Sequence, residues 1–220
     1  MSVSLTYGEN SSIVVKPMGE GSRALFDSPA GEFLGIRGPY GKGFAIAENA
    51  RKILLVGGGT GIAPILRLAE TRSETRGKSA SVVIGARSKR ELPFLPLLKK
   101  FLGTSNVYPT TDDGSLGFKG FAHEQVAALV EKDDFDLICC CGPEAMMFQV
   151  FNIASQNKIP AQFSLERIMK CGIAICGSCC IQDVVLCREG PVLSEKALRR
   201  LSKEFGKIER DKTGKLVSKS

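Results

Sequence analysis

The chain has 220 residues, 43% of them hydrophobic, and a formal net charge of +7. This length allows one medium-sized domain or two small ones, and the composition is that of a globular protein. The chain has no apolar run of roughly 18 residues, and it does not begin with a basic stretch followed by an apolar one. We therefore expect neither a membrane span nor a signal peptide. The 8 cysteines then indicate a cytoplasmic, reducing location, where thiols bind metals rather than form disulfides.

The N-terminal segment, residues 1–48, is short and rich in strand-forming residues. We predict strands at Ser12–Lys16 and Glu32–Arg37. A turn-dense loop, Gly38-Pro-Tyr-Gly-Lys-Gly43, follows the second strand. The segment is too small for a complete barrel of its own, and its glycine loop is equally compatible with a linker to the next domain.

Between residues 49 and 163 the pattern predicts strands that alternate with helices. The first strand, Lys52–Val56, is continuously apolar, as in a parallel strand buried on both faces, and a helix follows from Ile62. This alternation predicts an α/β fold with a doubly wound parallel sheet and right-handed crossovers. The other predicted strands are Ala80–Ile84, Asn106–Thr110, Phe135–Cys141 and Ala161–Ser164, and the other predicted helices are 92–102, 121–131 and Glu144–Ser155.

Glycine-rich or polar turns follow several of these strands, at the sheet edge where such folds bind ligands. The turn Gly57-Gly-Gly-Thr-Gly61 can bring backbone N–H groups and a helix N-terminus against a pyrophosphate, although it lacks the Gly-x-Gly-x-x-Gly spacing. Packing alone is the alternative explanation of these glycines. We predict a dinucleotide site, with candidate residues Gly57, Gly58, Gly59, Thr60, Gly61, Thr111, Asp112, Cys141, Gly142 and Pro143.

Other chemically distinctive residues of this domain carry less information. Within Cys139-Cys-Cys141, two cysteines are expected in the core of a buried strand, while Cys141 at the strand end can face a ligand. His123, the 1 histidine of the chain, is expected at the surface near a helix start. The basic residues of segment 87–91 suit a 2′-phosphate whereas Glu91 opposes one, which leaves NAD and NADP both open.

Four cysteines beyond this domain have the spacing C-x4-C-x2-C-x7-C. They are Cys171, Cys176, Cys179 and Cys187. The first three match the plant-type ferredoxin spacing, so we predict that the four thiolates ligate a [2Fe-2S] cluster, within a segment of residues 164–193. A structural zinc site is the main alternative, although such sites usually show two C-x2-C pairs. Cys180 adjoins the third ligand, and only the spacing favours Cys179 over it.

The last segment, residues 194–220, is basic. Apolar residues recur in it at helical spacing, so we predict a helical tail that docks on its own domain. Docking to a partner subunit is the alternative. Because the segment also contains Glu195, Glu204, Glu209 and Asp211, we do not expect nucleic-acid binding.

These motifs resemble the electron-transfer subunit of the two-subunit, NAD-linked dihydroorotate dehydrogenases over about residues 31–193. The matching stretches are Gly38–Phe44, Val56–Pro64, Thr111–Gly117, Cys141–Met147, Ser164–Cys171 and Leu186–Val192. The Gly-Gly-Gly-Thr-Gly and Cys-Gly-Pro pieces indicate the wider ferredoxin-reductase-like superfamily. The Ser-Leu-Glu-Arg-Ile-Met-Lys-Cys segment and the cluster cysteines narrow the resemblance to this subunit.

The resemblance implies an electron-transfer subunit of pyrimidine biosynthesis that contains no catalytic residue of its own. Its partner would be an FMN-containing catalytic subunit that oxidises dihydroorotate to orotate, assembled with it as a heterotetramer. Electrons would pass through the [2Fe-2S] cluster and FAD to NAD. Gly57–Gly61 would hold the dinucleotide phosphates, Cys141–Pro143 would lie near the nicotinamide, and Gly38, Gly41 and Gly43 would contact the flavin.

The N-terminal segment departs from the family, whose flavin-binding barrel is longer and carries an Arg-x-Tyr/Phe-Ser/Thr motif. No such motif precedes residue 50, so residues 1–48 are expected to form a truncated, flavin-barrel-like β segment. A flavin accepts two electrons and releases one, which connects NAD to a one-electron cluster. Either FAD binds around Gly38–Phe44, or electrons pass to another acceptor. The alternatives for the whole chain are an electron-transfer subunit of a different flavin-dependent oxidoreductase and a non-redox metal-binding module.

Overall fold

The computed structural model describes residues 3–7, 9–92, 94–211 and 213–218. Its N-terminal segment begins with an antiparallel hairpin of β1 (Val3–Tyr7) and β2 (Asn10–Ile13). Helix α1 (Glu20–Phe26) follows and has no buried residue. Leu5 is buried in the core of the next domain and thereby anchors the hairpin to it.

The N-terminal segment contains less strand than the sequence predicted. The strand expected at Ser12–Lys16 stops at Ile13, and the strand expected at Glu32–Arg37 does not form. Phe33 and Ile36, whose apolar side chains favoured a strand, are 100% and 88% exposed. A strand is stable only beside a hydrogen-bonded neighbour, and residues 32–37 have no paired strand, so this prediction was wrong.

The central domain contains all the strands and helices predicted for it, with ends that differ by a few residues. They are β3 (Lys52–Gly58), α2 (Ile62–Ser73), β4 (Ser79–Ala86), α3 (Leu95–Leu102), β5 (Val107–Thr111), β6 (Phe118–Lys119), α4 (Ala122–Val130), β7 (Leu137–Cys141), α5 (Glu144–Gln156) and β8 (Ala161–Ser164). Strand β6 was not predicted. Its two residues pair with the end of β5 and are both exposed. A strand of this length shows no alternation of apolar and polar residues from which it could be predicted.

The C-terminal part is built from short elements. They are β9 (Cys180–Ile181), β10 (Val184–Val185), α6 (Leu186–Glu189), β11 (Val192–Ser194), α7 (Glu195–Arg200), β12 (Ile208–Arg210) and β13 (Leu216–Ser218). The predicted helical tail is wrong beyond Arg200, because β12 and β13 form an antiparallel hairpin there. Its apolar residues Leu198, Leu201 and Phe205 are buried in the core, so the tail docks on its own domain as predicted.

The main sheet has seven strands in the order β11-β8-β7-β3-β4-β5-β6. Strands β3 to β8 run parallel, and β11 pairs antiparallel with β8. The chain moves outward from β3 to β4 and β5 on one side, then returns to β7 and β8 on the other. The strand order therefore reverses between β3 and β7, which is where doubly wound sheets bind ligands.

Each face of the sheet has its own core. Alternate residues of β3 point to opposite faces, so Leu54 and Val56 lie in one cluster and Ile53 and Leu55 in the other. The first cluster includes α4, α5 and the C-terminal part, and the second includes α2, α3 and β1. Cys179 and Cys187, two of the predicted iron ligands, therefore belong to the same hydrophobic core as the central domain. No helix within the described residues is long and apolar enough to cross a membrane.

Candidate functional site

Of the four cysteines with ferredoxin-like spacing, Cys171, Cys176 and Cys179 lie in irregular backbone and Cys187 lies in α6. We call residues 170–190 the cysteine loop, and its four cysteines pair in space. The backbone N–H of Cys176 donates to Sγ of Cys171 at 3.4 Å, and the N–H of Cys187 donates to Sγ of Cys179 at 3.4 Å. The N–H of Ala174 donates to Sγ of Cys187 at 3.2 Å and so connects the two pairs. Cys176 is exposed and Cys171 half-buried, whereas the second pair is buried.

Left-handed backbone conformations curl this loop. Gly172 and Gly177 have φ angles of 71° and 68°, and Ala174, between them, has a φ of 62°. Glycine adopts this conformation without a steric penalty, whereas alanine does so rarely. The curled backbone turns successive N–H groups inward, towards the sulfurs, as in other anion-binding concavities.

Hydrogen bonds from backbone N–H groups lower the pKa of the cysteine thiols, whereas burial raises it. Backbone groups, chiefly that of Cys176, lower the pKa of Cys171. Backbone groups of Cys171 and Ser178 lower the pKa of Cys176 to about 6, so this thiol is mostly a thiolate at neutral pH. Burial raises the pKa of Cys179 and of Cys180. Thiolate is the form that binds metals, and the loop therefore favours ligation at its exposed end.

The paired arrangement suits a two-iron cluster better than a single ion. A [2Fe-2S] cluster takes four thiolates, two on each iron. The backbone N–H contacts associate Cys171 with Cys176 and Cys179 with Cys187, which gives two thiols in each pair. A zinc site needs all four ligands around one centre. The loop therefore fits the iron cluster.

The N-terminal loop braces the start of the cysteine loop, which the sequence did not predict. One nitrogen of the Arg37 guanidinium donates to the carbonyls of Lys170 and Cys171, both at 2.8 Å. The guanidinium also lies 5.6 Å from the centre of the Tyr40 ring. That ring covers Gly172, where a Cβ would lie 2.5 Å from Tyr40 Cζ. The Tyr40 hydroxyl is buried and has no hydrogen-bond partner among the described residues.

The same N-terminal loop also holds the end of the cysteine loop. Lys42 donates its backbone N–H to the carbonyl of Gly190, and its own carbonyl accepts from the N–H of Val192 at 3.3 Å. Gly41 packs so closely that a Cβ there would lie 1.8 Å from the Gly190 carbonyl oxygen. Both ends of the cysteine loop are therefore fixed to residues 37–42.

These contacts bear on the three glycines predicted to contact a flavin. Gly41 is occupied by protein, since its Cα faces the Gly190 carbonyl. Gly43 faces open space, and Gly38 has only the backbone of its own loop nearby. They form no common cradle for a pyrophosphate, and their flavin role stays a prediction.

The two glycine turns of the nucleotide domain meet at the strand-order reversal. A Cβ on Gly61 would lie 2.4 Å from the carbonyl oxygen of Cys141, and one on Gly142 would lie 2.9 Å from the backbone nitrogen of Gly58. A Cβ on Gly58 itself would lie 2.8 Å from the sulfur of Met146. The structure thus brings together Gly57–Gly61 and Cys141–Pro143, as expected from the strand ends. Their glycines permit this close packing of backbone on backbone.

The outer part of the first turn is open. Gly59 and Thr60 are exposed, and nothing lies within 4 Å of a Cβ placed on Gly59. The turn leads directly into α2, whose first residue is Ile62. Backbone N–H groups at a helix N-terminus attract phosphate, so this open turn fits a dinucleotide pyrophosphate.

Thr111 and Asp112 differ in their availability to a ligand. Thr111 is buried, and its hydroxyl donates to the Leu116 carbonyl at 2.8 Å and accepts from the Leu116 N–H at 3.1 Å. The hydroxyl therefore closes the turn after β5. Asp112 is exposed at the same strand end, with its backbone N–H bonded to the Ala86 carbonyl at 3.1 Å. Ligand binding at either residue stays a prediction.

The cysteines of β7 are mostly core residues, as predicted. Cys139 and Cys140 are fully buried, and burial raises the pKa of Cys139 to about 12. Cys141 is half-buried, and burial raises its pKa to about 11, so it is a neutral thiol. His123 is half-buried at the start of α4, not fully at the surface, and stacks on Phe121 at 5.7 Å.

A buried ion pair joins the nucleotide domain to the segment just before the cysteine loop. Arg167 contacts Glu144 at 2.6 Å, with only 2% and 4% of the two side chains exposed. The N–H of Gly206, in the C-terminal part, donates to the same carboxylate at 2.7 Å. Glu144 begins α5, directly after the Cys141–Pro143 turn. Sequence analysis missed this pair, because two charges that are distant in sequence give no local signal.

Comparisons with known proteins agree with this geometry. Residues 55–151 match the oxidoreductase NAD-binding domain family, and residues 166–199 match the iron-sulfur cluster binding domain of dihydroorotate dehydrogenase B. A solved structure of an NADH-dependent reduced ferredoxin-NADP oxidoreductase is 31% identical with a TM-score of 0.70, over 86% of this chain and 71% of that one. Fold and site together define a ferredoxin-reductase-like oxidoreductase chain with an NAD-binding domain and an iron–sulfur segment.

Similarity to individual proteins narrows this class. The probable dihydroorotate dehydrogenase B (NAD(+)) electron transfer subunit of Methanothermobacter thermautotrophicus is 45% identical over 99% of this chain and 80% of its own length. The corresponding subunit of Methanocaldococcus jannaschii is 41% identical over 96% of this chain and 80% of its own length. The chain belongs to this family of electron transfer subunits. The predicted resemblance and the predicted iron–sulfur cofactor are confirmed, and the assignment of its four ligands stays a prediction.

Proposed function

We propose that the chain is the electron-transfer subunit of a dihydroorotate dehydrogenase in pyrimidine biosynthesis, and that it connects the FMN of a catalytic subunit to NAD. One observation carries this proposal. The paired thiols of the cysteine loop are fixed directly to a sheet whose strand-order reversal carries an open, glycine-rich turn. The chain thus offers a one-electron site and a nucleotide site on one framework. When bound, a [2Fe-2S] cluster accepts and releases one electron at a time.

The proposed cluster ligands are Cys171, Cys176, Cys179 and Cys187. The N–H of Cys187 donates to Sγ of Cys179 at 3.4 Å, which favours Cys179 over Cys180 as the third ligand. The inward N–H groups orient the sulfurs and stabilise their negative charge. We accordingly propose residues 164–193 as the cluster-binding segment and residues 49–163 as the nucleotide-binding domain.

The proposed nucleotide is NAD, with its phosphates on the Gly57–Gly61 turn. The neutral thiol of Cys141 and the adjacent Pro143 would border the nicotinamide without competing as a nucleophile. Arg87, which could meet a 2′-phosphate, is instead paired with Glu91 at 2.7 Å. That carboxylate repels a phosphate and accepts from a ribose hydroxyl, which favours NAD over NADP.

FAD is proposed as the third cofactor on chemical grounds. NAD exchanges two electrons as a hydride, whereas the cysteine loop serves a one-electron centre, and a flavin connects the two. The family implies FAD in this role. The measurement that decides it is the flavin released from the purified chain.

The proposed partner docks on the exposed side of the cysteine loop. The exposed apolar side chains of this region include Ile173 and Ile175, which are 66% and 78% exposed, and Ile168 and Met169, which are each 37% exposed. Clustered apolar side chains at a surface favour a protein interface. A catalytic subunit there, in a heterotetramer, would bring its FMN close to Cys176. Because four of the eight cysteines are proposed as cluster ligands rather than disulfide partners, a reducing, cytoplasmic location is proposed.

The test is reconstitution. The chain, purified anaerobically, is analysed for iron and flavin, then mixed with an FMN-containing dihydroorotate dehydrogenase subunit. We expect about two irons per chain and reduction of NAD by dihydroorotate only when both subunits are present. An iron-loaded chain that supports no such activity, yet reduces NADP with reduced ferredoxin, would instead favour the second candidate function. The 31% identity to the ferredoxin-NADP oxidoreductase structure motivates that candidate.

A further inference from the structure

The cysteine loop is held by side chains that belong to neither the NAD-binding domain nor the iron–sulfur domain. Arg37 and Tyr40 lie ahead of both matched regions, which begin at residues 55 and 166. Both act on the turn that starts at Cys171. Arg37 fixes the carbonyls of Lys170 and Cys171, at 2.8 Å each, and so sets the orientation of the peptide planes on either side of Cys171.

Tyr40 makes a closer and more specific contact. Its hydroxyl oxygen would lie 2.9 Å from a Cβ on Gly172, so the hydroxyl sits directly beside the residue that follows Cys171. Only glycine leaves room for the ring. The hydroxyl is buried and has no partner among the described residues, although a buried unpaired hydroxyl is costly and uncommon.

The cysteine sulfurs that the structure describes do not pair with this hydroxyl, and a sulfur of a bound cluster would supply the missing acceptor. Thiolate and cluster sulfurs accept hydrogen bonds, and the number of such bonds is one determinant of cluster potential. The reduced cluster carries one more negative charge than the oxidised one. A donor or a positive charge beside it therefore stabilises the reduced form more and raises the potential.

We propose that Arg37 and Tyr40 are positioning residues for the [2Fe-2S] cluster, with the unpaired Tyr40 hydroxyl available to donate to a sulfur of the bound cluster and Arg37 holding the turn at Cys171 in place. The inference rests on the proposed function, because it requires Cys171 to be a cluster ligand. Of the two residues, Tyr40 has the larger effect on the reduction potential of the cluster. Arg37 is exposed, so water screens its charge.

The test compares Y40F and R37M in the full chain, loaded with cluster under anaerobic conditions. Y40F keeps the ring over Gly172 and removes only the hydroxyl. Y108F is its matched control, since Tyr108 lies on β5, away from the cysteine loop. R23M is the control for R37M, since Arg23 lies in α1. R37K retains the charge and tests whether charge alone suffices.

Each protein is titrated with dithionite and redox mediators, one electron per cluster, while visible absorption and electron paramagnetic resonance are recorded. We expect Y40F to retain wild-type iron and to show a roughly tenfold lower reduced-to-oxidised ratio at a fixed potential, equivalent to about 59 mV. R37M should lower the reduction potential of the cluster by a smaller amount, and R37K should restore part of that loss. The potential should be unchanged in both control variants.

The outcomes separate this inference from the proposed function. If Y40F and R37M carry the cluster with the potential and resonance signal of the wild type, the positioning role is wrong while the proposed function stands. If the wild-type chain itself assembles no iron–sulfur cluster, the proposed function fails first, and this inference fails with it.

Discussion

The buried ion pair between Glu144 and Arg167 allows a stability prediction worked from the structure. The substitution R167M removes the cation and leaves the carboxylate in a site where 4% of its side chain is exposed. Breaking a buried pair by removing one partner costs about 3–5 kcal/mol, since a buried charge loses its counter-charge. The N–H of Gly206 still donates to the carboxylate at 2.7 Å, which places the expected cost near the lower end, about 3 kcal/mol.

The assay is thermal unfolding followed by circular dichroism, on chains with matched iron content. In a protein of this size, 1 kcal/mol corresponds to about 2–4 °C in Tm, so R167M should unfold about 6–12 °C below the wild type. The double variant E144M/R167M should recover part of this loss, because it removes the buried carboxylate as well.

The matched control is R87M, which breaks an ion pair of similar length in a different environment. Arg87 and Glu91 are 2.7 Å apart, but their side chains are 76% and 40% exposed. Exposed pairs contribute little to stability, so R87M should leave the Tm almost unchanged. A Tm for R167M within about 2 °C of the wild type would refute the reasoning.

Three further predictions follow from the site. C176S should abolish cluster binding, measured as iron per chain, whereas C180S should retain the iron; equal loss in both would contradict the proposed third ligand. G61A should weaken NADH binding and lower the Tm, because a Cβ there would lie 2.4 Å from the Cys141 carbonyl oxygen, whereas a Cβ on Gly35 meets nothing within 4 Å and G35A should behave as the wild type in both assays. In metal-free protein the pKa of Cys176 is about 6, so its alkylation by iodoacetamide should fall as the pH drops through 6, as measured by peptide mass spectrometry. Cys141, with a pKa of about 11, should stay unreacted at pH 7. Equal labelling of the two cysteines would contradict these pKa shifts.

The central domain was predictable because its signals are local. The run Lys52–Val56 is apolar throughout, and only a strand covered on both faces uses such a run, so the parallel sheet followed directly. The Gly57–Gly61 turn and the Cys-Gly-Pro turn were placed correctly at strand ends. Their contact across the strand-order reversal followed from topology alone, since strands β3 and β7 are neighbours.

The rest depends on contacts between distant segments. Glu32–Arg37 has strand-forming residues but no strand beside it, and local pattern cannot reveal a missing neighbour. The tail kept its predicted apolar spacing, yet among its described residues the helix is limited to Glu195–Arg200. There Phe205 packs edge-on against Phe151, with ring centres 5.7 Å apart, and this contact rather than helix periodicity explains its burial.

The way the cysteine loop is attached decides how it can work. It is not joined to the nucleotide domain by a tether, because Val192 pairs with Ser164 as β11 extends the main sheet. Lys42 forms a bridge to Pro191 from the other side, and Arg167 is anchored to Glu144 at the start of α5. A site carried on rigid elements keeps its geometry, whereas a site on a free loop does not. The distance between the thiol pairs and the nucleotide turn is therefore fixed by the fold, which is what a chain that passes electrons between two bound groups requires.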